Sequence, residues 1–131
     1  MIQLIIAEAD TPNKNNRVYP KKVLEKIVDD FNGKTERMLG QMGMPHDSII
    51  HLSMASHFVE KLQLSDEGKL LADIQIMSTP CGKQLSELME ICDVSFRLQG
   101  IGEVKSIDGV DVIQDNYQVI AINAVPAKDA S

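Results

Sequence analysis

The sequence predicts an α+β domain with a largely antiparallel, partly closed, barrel-like sheet and two short helices. Three observations predict it. Apolar segments of strand length recur along the chain and are joined mostly by hairpin signals rather than by crossover helices. Two stretches carry a helical apolar stripe. A chain of 131 residues with 44% hydrophobic and 24% charged side chains suits one globular unit, a single domain over residues 1–131.

Ile2-Gln3-Leu4-Ile5-Ile6-Ala7 reads as a buried strand, ended by the turn-rich run from Asp10 to Asn16. Pro20 suits the first turn of a helix, where its missing N–H costs nothing, and Val23, Leu24, Ile27, Val28 and Phe31 form one stripe up to Asn32-Gly33. The stretch from Gly40 to Leu52 mixes glycines, a proline and two histidines and reads as an irregular connection.

Ser53 to Leu64 and Leu70 to Met77 read as two strands joined across Ser65-Asp66-Glu67-Gly68-Lys69. Thr79-Pro80 supplies a cap and a first helical residue, and Leu85, Leu88, Met89 and Cys92 make the apolar face of a second helix. Val94 to Lys105 and Val110 to Val125 read as two more strands around Asp108-Gly109, a tight-turn pair whose members tolerate positive φ. Residues 127–131 read as a fraying or truncated tail.

Composition excludes several functions. A formal charge of −6, from 13 basic and 19 acidic residues, opposes sequence-independent binding to nucleic acid, which needs cations to neutralise phosphates. No apolar run approaches the roughly 20 residues that cross a bilayer, and Met1 leads into a strand without a basic leader, so no membrane partner is expected. Cys81 and Cys92 lack metal-site spacing and read as free thiols of a reducing compartment. His46, His51 and His57 match no established zinc pattern, so no metal or organic cofactor is expected. Met38, Met42, Met44 and Met54 read as core filler, and Arg17 and Tyr19 as anchors between loop and first helix.

Three segments carry a resemblance to a known family. Asn13-Lys14-Asn15-Asn16-Arg17-Val18-Tyr19-Pro20 and the helix after it, Gly40-Gln41-Met42-Gly43-Met44-Pro45-His46, and Asp93-Val94-Ser95-Phe96-Arg97 occur in the order seen in the prohead core protein proteases of tailed phages. A closing stretch from Tyr117 to Pro126 is similar to that family's terminal strand, with Asn123 where Asp is usual. The resemblance runs from about residue 7 to residue 126 and implies a herpesvirus-protease-like fold. This chain departs from the family's pattern by two extra residues before His46, Phe96 in place of a second Ser, and Asn123 in place of Asp.

By that resemblance Ser95 is the nucleophile and His46 the catalytic base. A serine hydroxyl attacks at neutral pH only when a base within hydrogen-bond reach takes its proton, and an imidazole can then return it to the leaving amine. A third group holds the imidazole; Asn123 is the candidate, with His57 and Asp47 as rivals. Backbone N–H groups around Arg97 and Leu98 are the candidate oxyanion donors. The implied function is a serine endopeptidase that cleaves scaffold and capsid polypeptides, as a homo-oligomer, inside an assembling prohead in the host cytoplasm. The alternative is an inactive protein of the same fold that serves as a capsid or scaffold assembly component.

Overall fold

The computed structural model describes residues 1–45 and 51–129. Nine strands and two helices follow in the order β1 (Ile2–Glu8), β2 (Arg17–Val18), α1 (Lys21–Asn32), β3 (Met38–Gln41), β4 (Ala55–Leu64), β5 (Lys69–Ile76), α2 (Pro80–Ile91), β6 (Val94–Ile101), β7 (Val104–Ile107), β8 (Val110–Ile113) and β9 (Gln118–Pro126). The architecture is the predicted one: α+β, mostly antiparallel, with two short helices.

The main sheet has the order β1-β5-β4-β3, and all its pairs are antiparallel. A second ribbon pairs β6 with β9, and a small sheet has the order β2-β8-β7. The β4–β5 hairpin follows from Gly68, whose φ of +84° lets the turn close where other residues would be strained. At Asp108-Gly109 both turn residues have positive φ, the geometry that matches the right-handed twist of β7 and β8.

Both helices sit where the apolar stripes place them. In α1, Val23, Leu24 and Ile27 are buried and the helix packs on β4, while Pro20 stands one residue earlier than expected, at the cap. In α2, the Thr79 hydroxyl accepts from the Gly82 N–H at 3.2 Å, a cap that contributes about 1 kcal/mol. Leu85 is buried, but Cys92 ends the helix exposed instead of extending its apolar face. The core joins these side chains to Val59, Leu62, Leu70, Ile74, Phe96, Leu98, Ile113 and Ile122.

Several expectations are corrected. β1 is half-buried, not buried: a bulge between Ile5 and Ala7 turns Ile6 and Ala7 inward and leaves Ile5 exposed. The stretch from residue 40 to 52 is not wholly irregular, because Met38–Gln41 pairs with β4. Ser53 and Met54 belong to a short 3₁₀ turn before β4, and Met54 is exposed instead of filling the core.

The two long strands expected over residues 94–105 and 110–125 each break in two. The breaks face one another. Gly102 lies so close to the backbone of Tyr117 that a Cβ would stand 2.6 Å from its Cα, and the Asn116 side chain accepts from the Glu103 N–H at 2.9 Å. That paired turn diverts β7 and β8 into their own sheet. Residues 127–129 hold a 3₁₀ turn instead of fraying, tied by the Ala127 N–H to the Asp93 carbonyl at 3.1 Å, and residues 130–131 lie outside the described residues.

Candidate active site

Ser95 lies on β6 and is half-buried. Its partner on β9 is Val125, while Arg97 stands opposite Asn123 and Gln99 opposite Ala121. Side chains alternate along a strand, so Ser95, Arg97 and Gln99 share one face with Asn123 and Val125. Ser95 and Asn123 are therefore diagonal neighbours, a separation of about 7 Å in an antiparallel pair. Leu98, Phe96 and Ile122 project from the other face into the core. Phe96, where the family carries a second Ser, thus adds to the core and not to the Ser95 face.

Asn123 is fully buried and held on two sides. Its Oδ1 accepts from the Gln41 backbone N–H at 3.1 Å, and its Nδ2 donates to Gln99 Oε1 at 2.7 Å. The Met44 sulfur lies 3.6 Å from the same Nδ2. The chain leaving β3 runs parallel to β9, with a bridge between Met42 and Ala124 and a 2.7 Å bond from the Gly43 N–H to the Ala124 carbonyl. These contacts lead the chain past Asn123 as far as Met44. His46 and Asp47 lie outside the described residues.

His57 is also fully buried, on β4, but on the core side of the ribbon, with its ring edge-on to Phe96 at 5.1 Å. Its Nε2 meets the Ile122 carbonyl at 2.7 Å and its Nδ1 meets Ser56 Oγ at 2.8 Å. A carbonyl only accepts, so Nε2 carries the proton and Nδ1 accepts from the Ser56 hydroxyl. Burial holds this imidazole below its ordinary pKa, an effect partly opposed by the Ile122 carbonyl.

Ser95, Arg97 and Asn123 therefore come together on one face, whereas His57 is on the other and Leu98 is buried in the core. Sequence reasoning missed the side-chain bond of Gln99, the backbone bond of Gln41, the bond between Ser56 and His57 and the close approach at Gly40. The signal for Gln99 was present, since positions 95, 97 and 99 keep strand periodicity. Nothing local marks Gln41, whose backbone N–H reaches the site from a strand distant in sequence. Among the described residues no group of three or more His, Cys, Asp or Glu side chains could hold a metal ion.

The mostly antiparallel α+β fold places Ser95 and Asn123 on one face of the β6–β9 ribbon, and sequence comparison gives the class of the chain. The chain belongs to the family described as prohead core protein serine protease, whose profile matches residues 1–130. It is similar to the prohead core protein protease of Enterobacteria phage T4, with 31% identity over 64 residues, 47% of this chain and 30% of that protein. The matched region thus spans less than a third of that relative's length. Among solved structures it is similar to the bacteriophage T4 capsid assembly protease, gp21, with a TM-score of 0.84 and 20% identity over 95% of this chain and 79% of that one. At that identity the likeness shows the fold.

Proposed function

We propose that this chain is a serine endopeptidase of viral prohead maturation, acting through a Ser95/His46 acyl-enzyme mechanism. One observation carries the reading. Ser95 and Asn123 share a face of the β6–β9 ribbon, and the segment that leads to position 46 is bonded to that same Asn123 through Gln41.

In this mechanism His46 removes the Ser95 proton as the hydroxyl oxygen attacks the scissile carbonyl, then donates it to the leaving amine. Water hydrolyses the acyl-enzyme by the same proton route in reverse. Asn123 offers an amide oxygen to hold the imidazole N–H. It orients the base without the charge that would stabilise the imidazolium, so it is a weaker third member than Asp. His57 packs against Phe96 on the face of the ribbon opposite Ser95, which favours Asn123 over it. A backbone N–H group in the Arg97–Leu98 stretch serves the oxyanion. The edge of β6 away from β9 carries no strand ladder among the described residues, which suits an extended polypeptide beside Ser95.

Family membership and the names of the two T4 relatives point to scaffold and capsid polypeptides as substrates. The site of action is then the assembling prohead in the host cytoplasm, where the chain works as a homo-oligomer. No cofactor takes part. The test is a fluorophosphonate probe with the adduct located by mass spectrometry. The reading expects an adduct on Ser95 that is lost in Ser95→Ala and strongly slowed in His46→Ala. A folded protein that takes no adduct would instead be the inactive assembly component.

A further inference from the structure

We propose that His57 is a positioning residue: a buried strut, held by Ser56 and admitted by Gly40, that fixes the Ile122–Asn123 segment of β9. The consequence for catalysis rests on the reading that Asn123 is the third member. The strut crosses a strand. β4 does not pair with β9; β3 lies between them, and His57 reaches over it at the one position where the ladder sets Gly40 opposite His57. A Cβ at residue 40 would stand 2.2 Å from both His57 Nε2 and the Ile122 carbonyl oxygen, so only glycine lets the two meet.

What the strut joins explains why it is needed. β4 and β3 share an antiparallel ladder with a bulge between Gly40 and Gln41, but among the described residues β3 and the chain leaving it meet β9 through one isolated bridge, the Gly43 N–H bond and the Asn123 side chain. The His57 N–H adds a bond across this thinly laddered seam, at the residue preceding Asn123. Its ring also packs on Phe96, the residue after Ser95. One side chain therefore backs the neighbours of both reacting-face residues. The Ser56 hydroxyl, donating to Nδ1, selects the tautomer that presents the N–H to Ile122.

The experiment compares His57→Phe, which keeps the ring volume and loses both hydrogen bonds, with His57→Gln, whose amide N–H reaches about as far as Nε2. Two quantities are read on folded protein: hydrogen exchange of the Gln41 amide, which is bonded to Asn123 Oδ1, and the rate of fluorophosphonate labelling at Ser95. Loss of a buried hydrogen bond predicts exchange and labelling each changed by about tenfold or more in His57→Phe, faster and slower respectively. His57→Gln should return both to within about threefold of the parent. Should His57→Phe not fold, Ser56→Ala carries the test, with labelling slowed severalfold and Gln41 exchange quickened. The proposal is overturned if a folded His57→Phe, or Ser56→Ala in its place, keeps the parent's Gln41 protection, or if His57→Gln rescues neither quantity. Absence of parent labelling would remove the functional reading alone, because Gln41 exchange still decides the strut.

Discussion

The two sides of β3 are built differently. Toward β4 the strand has an antiparallel ladder that continues, with a bulge in each pairing, through β5 to β1, backed by Val59, Leu62, Leu70 and Ile74. Toward β9 it meets the ribbon through a bridge and side-chain bonds, and the five polar residues buried among the described residues, Gln41, Ser56, His57, Gln99 and Asn123, gather around that seam. Apolar burial supplies most of the folding free energy, at about 25 cal/mol per Å². Satisfied polar groups at low dielectric supply direction instead, because each bond must be met or its loss is costly. The comparison teaches that one region holds the molecule together while the other aims its chemistry.

That contrast can be broken by substitution. Ser95→Ala should lower peptide cleavage by about 10⁴-fold or more, measured as turnover of a scaffold-derived peptide, while leaving the melting temperature nearly unchanged. On the other side, Leu62→Ala should cost about 2–5 kcal/mol of stability by urea titration, since a fully buried leucine is replaced by a cavity.

Acid should act through the seam. His57 is held neutral with a lowered pKa, so below its ordinary value of 6.5 the unfolded chain binds the proton more readily than the folded one. Its contribution to stability is present above that pH and is lost as pH falls through the folded value. Urea midpoints measured from about pH 7.5 down to about pH 5 should therefore fall further for the parent than for His57→Gln. The smallest effect is expected far from the seam. Gly109→Ala, at a φ of +79° with open space around it, should cost about 1 kcal/mol of backbone strain and leave peptide cleavage untouched.

Much of the apolar region was legible because its signals are local. The stripe of α1, the Thr79 cap, the β4–β5 turn and Asp108-Gly109 each declare themselves within a few residues. The seam was not. Met38-Leu39-Gly40-Gln41 is too short and too interrupted by glycine to announce a strand, and its pairing with β4 and its bond to Asn123 join residues far apart in sequence. Ser95 and Asn123 were found by family resemblance, and strand alternation then accounts for their shared face. The burial of His57 could not be read from Met54-Ala55-Ser56-His57, because the void that admits its ring belongs to Gly40. The breaks at Gly102 and Asn116 were legible in principle, since Asp115-Asn116 is a turn pair set inside an apolar run.

The most direct test of the division between holding and aiming is the rate of fluorophosphonate labelling at Ser95 in Asn123→Ala and in Leu62→Ala, each measured under conditions where the variant is folded. The account predicts labelling about 100-fold slower than the parent in Asn123→Ala and close to the parent rate in Leu62→Ala. Parent-like labelling in Asn123→Ala, or an equal loss in both variants, would contradict it.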